Sequence, residues 1–267
     1  MPVKKDGTGK RWVEMELVVP GTPEQVWQAI ATGPGYSAWF ASTKLEERVG
    51  GELVFDMGAY GVFKGEVTHW EPPTRFEYVE REWGEEAPPL ATEITVTARS
   101  GGTCLVRMVH SLFASIDDWD DQLEGFEKGW PTFFQVLRRY LEHYAGMKAA
   151  ITSVMVQLQQ PQLKAWKTLV ESLGLTGLDV GEEIMTPVPE YLAGTIERIE
   201  QDQHQRYVLL RLHQPSPGLV LVGTYAVGDS TNVTATVYFY GEDAAERAAA
   251  SQPVWRSWCE ATFQHEG

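Results

Sequence analysis

The sequence predicts an α+β fold, an antiparallel sheet with its helices gathered on one side and a long helix closing the domain. Three observations carry this. From about residue 45 to residue 110, apolar and polar residues alternate in short runs broken by Gly and Pro, as in antiparallel strands with one buried face. From Asp117 to Ala145 the apolar positions recur at steps of three and four, which is the helical period. Ahead of the strands, Thr22-Pro23-Glu24-Gln25 opens a short helix directly after a strand. The order strand, helices, antiparallel strands, long helix puts the helices on one layer.

Taken in order, WVEMELVV at Trp12–Val19 alternates as a strand and Pro20-Gly21 ends it. Thr22 is a cap, Pro23 suits the first helical position and Gln25 completes a capping box. Val26, Trp27 and Ile30 give that helix its buried side, and Gly33-Pro34-Gly35 is expected to stop it. Tyr36, Trp39 and Phe40 follow in a short helix or turn. Strands are then expected at Leu45–Val49, Glu52–Met57 and Val62–Trp70, the last with Phe63, Gly65, Val67 and His69 on one face. Glu71-Pro72-Pro73-Thr74 must turn, because proline cannot donate to a ladder. Phe76, Tyr78 and Glu80 share the next inward face, and residues 85–89 form a loop. Thr92, Ile94, Val96 and Ala98 alternate, Ser100-Gly101-Gly102 makes a hairpin, and Cys104, Val106, Met108 and His110 share a face.

The long helix carries Trp119, Leu123, Phe126, Trp130, Phe133, Phe134, Leu137, Leu141 and Tyr144 on one stripe and charged residues opposite. Asp117 or Asp118 is expected to cap it, and Arg138, Arg139 and His143 suit the negative end of its dipole. Pro131 predicts a bend, and Gly146 a stop.

Beyond it, ITSVMVQLQQPQLKAWKTLVESLG parallels MELVVPGTPEQVWQAIATG, with Trp166 placed as Trp27 is. Strands are expected at 191–200, 207–212, 219–227 and 233–240, then a helix at 242–263 interrupted by Pro253. The chain therefore divides into residues 1–147 and 148–267, the second half a diverged copy of the first, or else an extra sheet layer completing one domain.

A net charge of -15 argues against nucleic acid and anionic membrane as partners, since both are bound through cationic surface. Cys104 and Cys259 lie far apart with no metal-type spacing, which suits a reducing compartment. The start, MPVKKDGTGK, has no apolar run after it, and no stretch reaches membrane-spanning length, so a cytoplasmic protein is expected. Phosphate-binding Gly-rich loops, His-Glu-x-x-His pairs and nucleophile elbows are absent, so no cofactor and no metal are expected. The acidic run Asp117, Asp118, Asp120, Asp121 lacks the glycine and final glutamate of a calcium loop.

Several segments together resemble the START-type helix-grip superfamily, also called SRPBCC or Bet v 1-like. Within it the chain is similar to the subfamily of the activator of heat-shock-protein-90 ATPase. The segments are TPEQVWQAI, Trp39-Phe40, GGELVF, KGEVTHWEPPTRFEY, VRMVHSLF and EGFEKGWPTFFQVLRRYLE, spanning most of residues 11–145. The proline after Gly129-Trp130 and the short loop before Asp117 depart from the pattern. The resemblance implies a curved antiparallel sheet wrapped on a long C-terminal helix, enclosing an apolar cavity.

On that expectation Phe55, Phe63, Val67, Tyr78, Ile94, Val106, Met108, Trp130 and Phe134 face the cavity, or fill it as core. Trp39, Phe40 and Trp83 either rim an entrance or pack. His69 and His110 share parity with apolar neighbours, and Glu80 with Tyr78. Each is a candidate acid or base, or a satisfied residue at a strand end. The first reading of function is a non-catalytic binding protein for a hydrophobic or amphipathic small molecule. Relatives in the superfamily suggest a second, a polyketide cyclase, aromatase or hydrolase using His69, His110 and Glu80. The subfamily name suggests a third, a protein partner in the form of a heat-shock ATPase.

Overall fold

The alternating runs of the first half form one antiparallel sheet. The computed structural model describes residues 3–114, 117–202 and 204–263, and the chain divides into two units, Met1–Gly146 and Met147–Gly267. The first unit contains β1 (Lys4–Lys5), β2 (Lys10–Pro20), α1 (Pro23–Ile30), α2 (Gly33–Ser37), β3 (Ser42–Leu45), β4 (Glu52–Asp56), β5 (Val62–Glu71), β6 (Arg75–Glu80), β7 (Leu90–Arg99), β8 (Thr103–Phe113) and α3 (Asp120–His143). Its strands lie in the order β1-β2-β8-β7-β6-β5-β4-β3. The first long strand thus pairs with the last, from Lys10 opposite Phe113 to Pro20 opposite Thr103.

The capping box forms as expected. Thr22 Oγ1 accepts from the Gln25 N–H at 3.3 Å, and Gln25 Oε1 accepts from the Thr22 N–H at 2.9 Å. Val26, Trp27, Ala29 and Ile30 are buried. Gly33-Pro34-Gly35, expected to be only a stop, starts α2 instead. Thr32 Oγ1 accepts from the Gly35 N–H at 3.0 Å, and Pro34 suits the first turn. A Cβ at Gly35 would lie 1.9 Å from the Gln28 carbonyl oxygen, so only glycine lets α2 pack this tightly on the end of α1. The expected strand at Leu45–Val49 is displaced to β3, because the chain turns back at Gly50 (φ +74) and Gly51, where a Cβ would meet Glu46 O at 2.2 Å.

The long helix begins at Asp120, and neither Asp117 nor Asp118 caps it: Trp119 stands at the cap with no side-chain hydrogen bond. Its start is held by charge instead. Arg11, on β2, is 8% exposed and its Nη1 donates to both carboxylate oxygens of Asp120 at 2.6 Å. The helix runs on through Pro131, with Leu123, Trp130, Phe134, Leu137 and Leu141 buried. Across the outer face of the sheet, Arg107 bridges Glu14 (3.0 Å) and Glu93 (3.1 Å), and Arg75 bridges Glu93 (2.8 Å) and Glu77. This ladder of alternating sign crosses β2, β8, β7 and β6 and fits only one register.

One irregularity changes a reading of the sequence. In β5, Val67 pairs with Tyr78 but His69 pairs with Glu77, so Thr68 is an extra residue. The bulge reverses parity beyond it. Trp70 turns inward, 5.2 Å from Trp27 and 5.4 Å from Phe76 between ring centres, and His69 turns outward.

The second unit contains β9 (Ala149–Leu158), α4 (Gln162–Ser172), β10 (Glu183–Thr186), β11 (Leu192–Gln201), β12 (Gln205–Gln214), β13 (Gly218–Val227), β14 (Ser230–Tyr240) and α5 (Ala244–Phe263). Its sheet order is β10-β11-β12-β13-β14-β9, so here too the first strand pairs with the last. Strand β10 was not anticipated from the sequence. Trp166, Leu169, Val220, Val237, Phe239 and Trp255 are among the residues of one apolar core. A void of only about 10 Å³ remains among Leu173, Ile184, Leu210 and Trp255.

Glu190 fastens the loop before β11 to α5. Its Oε1 accepts from Trp255 Nε1 at 2.6 Å and from Ser251 Oγ at 2.5 Å. Glu190→Ala leaves the indole N–H, on a side chain 1% exposed, without its acceptor. The expected cost is about 2 kcal/mol in the second unit, read as earlier urea unfolding of its peptides by hydrogen exchange. An unchanged transition would show that the contact adds nothing.

Candidate functional site

Strands β4, β5, β6 and β8 and helix α3 enclose a cavity of about 200 Å³ in the first unit. Phe55 and Met57 come from β4 and the turn after it, and Phe63 from β5. Tyr78 and Glu80 come from alternate positions of β6, and His110 from β8. Phe126 and Trp130, four residues apart on α3, form the opposite wall, with Phe40 beside them. Trp83 and Leu90 close one end, and Trp83 is fixed there by its Nε1 donating to Pro88 O at 2.7 Å. Met57, Phe63, Trp83 and Phe126 are only half-buried and mark the open side.

Ring contacts build the wall. Phe40 stacks on Trp130 at 4.7 Å and meets Phe55 edge-on at 5.4 Å. The His110 imidazole stacks on Trp130 at 5.7 Å and lies 5.0 Å from Phe126. Gly65, opposite Glu80, leaves the floor open: a Cβ there would sit 3.2 Å from the Tyr78 ring and 3.5 Å from Glu80 Cγ.

The polar groups are few. His110 is 2% exposed. Its Nδ1 lies 2.9 Å from Thr92 Oγ1, and its Nε2 has no hydrogen-bond partner. Burial without a counter-charge lowers its pKa from 6.5 to about 3, so the ring is neutral. Glu80 is 9% exposed, and burial raises its pKa from 4.5 to about 7. Tyr36 and Tyr78 are fully desolvated; burial first, and the charge of Glu80 with it, pushes both phenols well above the ordinary tyrosine range. At neutral pH the site therefore holds one carboxyl poised to gain or lose a proton, one neutral imidazole and the neutral phenol of Tyr78, with the neutral Tyr36 packed behind the lining.

The structure brings together Phe40, Phe55, Phe63, Tyr78, Glu80, His110 and Trp130 from the expected set, and Trp83 at the end. It places others elsewhere. His69 points out and its Nε2 lies 3.3 Å from Glu71 Oε2, so it is not a cavity residue. Trp39 does not rim an entrance: it is 0% exposed and donates from Nε1 to Ala29 O at 2.9 Å. Val67, Ile94, Val106, Met108 and Phe134 are buried core outside the lining. Met57, Leu90 and Phe126 line the cavity and were not singled out for it. Met57 and Phe126 already stood on the right faces by period, whereas Leu90 lies before the point at which alternation was counted. Among the described residues no group of His, Cys, Asp or Glu could hold a metal ion, and no helix is long and apolar enough to cross a membrane.

A family model described as activator of Hsp90 ATPase homolog 1-like protein matches residues 20–142. Among solved structures, protein MLL2253 from Mesorhizobium loti is 25% identical, with 49% of this chain and 97% of that one covered and a TM-score of 0.45. CalU16 from Micromonospora echinospora is 18% identical over 53% of this chain and 83% of its own, with a TM-score of 0.43. DynU16, a protein of the dynemicin biosynthetic locus, is 18% identical over 94% of this chain and 95% of its own, with a TM-score of 0.44. No curated protein matches the sequence.

Proposed function

Because the N-terminal unit is a domain of the helix-grip kind, similar to the activator of Hsp90 ATPase, we propose that this protein binds a hydrophobic or amphipathic small molecule in its N-terminal cavity. The observation that carries the reading is the open, aromatic-walled space of about 200 Å³ between sheet and long helix, with a few convergent polar groups. A cavity of about 150 Å³ lined by apolar side chains holds benzene, so this one suits a single ring with a short substituent. The second unit is a diverged copy in this reading, supported by its shared order of strand, helix, strands and helix, and it serves as a stabilising or partner surface. A cytoplasmic place belongs to the same reading, consistent with two free, buried cysteines.

Native mass spectrometry of protein purified from its own host tests the proposal. A stoichiometric extra mass lost on denaturation is the expected result. No extra mass, together with no thermal shift from a panel of single-ring compounds, would sink it. Gly65→Val fills the floor against Tyr78 and Glu80. It is expected to weaken ligand binding more than about tenfold while the far-ultraviolet dichroism stays the same.

A second reading is acid–base chemistry of the cyclase kind. It is favoured by Glu80, whose pKa of about 7 suits a general acid or base, facing the same space as the neutral His110. His69 no longer belongs to that set. Turnover of a polyketide-like substrate that survives both Glu80→Gln and His110→Ala would end this reading. Activation of a heat-shock ATPase rests on the family description alone, and an ATPase assay with the purified chaperone decides it.

A further inference from the structure

Among the described residues the carboxyl of the cavity has no counter-ion. No Lys or Arg side chain lines the space, and no described residue offers Glu80 a hydrogen bond or an ion pair. The aromatic side chains of Trp130, Phe40, Phe63, Trp83 and Tyr78 line the same space. The face of an aromatic ring is electronegative and attracts a cation, most strongly where water is excluded. A carboxylate acts the same way, and its pull also grows as the surroundings lose water. The second polar feature, His110 Nε2, is buried without a partner and presents a neutral ring atom.

We propose that the ligand of this cavity is a small monovalent organic cation: an amine on a single ring or short apolar chain, its ammonium against Glu80 and its body against Trp130 and Phe40. This rests on the cavity being a ligand site, as proposed above. An anionic ligand would meet Glu80 and find no cation to balance it. A neutral ligand would fill the space but leave the carboxyl uncompensated. The amine alone satisfies both the aromatic walls and the carboxylate.

Binding also has a proton signature. In the free protein burial keeps part of Glu80 protonated near neutrality. The other titratable groups facing it, Tyr36, Tyr78 and His110, are neutral there and stay so. An arriving ammonium favours the carboxylate, so the proton on Glu80 leaves to solvent as the ion pair forms.

Benzylamine, benzyl alcohol and benzoate share one shape and differ in charge. Calorimetry of each against the full chain and its Glu80→Gln variant tests the proposal. The expected result is benzylamine binding at least about tenfold tighter than benzyl alcohol to the unaltered protein, with benzoate weakest. The amine's advantage should vanish in Glu80→Gln while benzyl alcohol still binds. In the unaltered protein, the heat of amine binding near neutral pH should depend on the buffer's ionisation enthalpy, as released protons require; this arm needs no variant. Equal affinity for amine and alcohol, an amine preference that survives Glu80→Gln, or amine binding without proton release overturns the cation assignment and leaves the cavity reading intact. Binding of none of the three removes the cavity as a ligand site, and the cation assignment with it.

Discussion

Trp39→Ala is expected to cost the N-terminal unit about 4 kcal/mol, enough to unfold a domain of ordinary stability under mild denaturant. The side chain is 0% exposed, stacks on Tyr36 at 5.4 Å and 25°, and lies 6.2 Å from Trp130. Truncation leaves a cavity under α2 and also removes the indole donor of Ala29 O, a buried carbonyl at the end of α1. Both losses fall where α1, α2 and the aromatic wall meet, so little is available to collapse into the space. The two units need not unfold together, so a single-probe melt is the wrong readout. Urea-dependent hydrogen exchange by peptide should show residues 23–45 and 120–143 opening early while residues 149–240 keep their transition. A destabilisation under about 1 kcal/mol would mean that the indole is not the anchor its burial implies.

The second large effect is electrostatic and appears only as a function of pH. Glu80 titrates at about 7 in the folded unit and at 4.5 when unfolded. Between those values the folded state holds the extra proton, so stability falls as pH rises through this window, by about 3 kcal/mol in all. His110 does the opposite. Its folded pKa is about 3 against 6.5 unfolded, so its neutral burial is fully favourable above 6.5 and becomes a liability as pH falls towards 3. From 4.5 to 6.5 the two slopes cancel. The unaltered protein should therefore show a plateau there from these two groups, with stability dropping on either side. Glu80→Gln removes one slope. The variant's stability should climb with pH across the plateau, and its advantage over the unaltered protein should grow by about 3 kcal/mol from acid to slightly alkaline solution. Urea midpoints in a series of buffers give the answer, and parallel profiles for the two proteins would rule it out.

Most of the cavity was legible because strand alternation and helical spacing are local properties. Counting by two placed Phe55, Tyr78, Glu80 and His110 inward, and counting by three and four placed Trp130 and Phe126 opposite. What period counting cannot see is a change of count. The bulge at Thr68 turned His69 out and Trp70 in, although nothing in KGEVTHWE announces an extra residue. Trp39 was misplaced for a different reason. Gly33-Pro34-Gly35 reads equally as a stop or as a capped start, and only the close approach of Gly35 to Gln28 decides for α2, which swings Trp39 into the core. Leu90 was passed over because the loop was carried up to the prolines before it, while β7 begins at once after them. The cap of α3 was misplaced because the helix starts later than expected, with Trp119 at the cap and Asp120, its first residue, paired with Arg11 across the chain.

In both units the first long strand lies beside the last strand, β2 beside β8 and β9 beside β14. On a ribosome this has a temporal meaning. Strand β2 is made before its partner β8, and Phe113 follows Lys10 by 103 residues of synthesis, so β2 must wait, with its apolar face uncovered, until nearly the whole domain has emerged. Sheets joined in this way close late and slowly. The segment of this domain at greatest risk of premature association is therefore WVEMELVV, which waits the longest for its long partner, and a chaperone holding that segment would protect the domain during the interval.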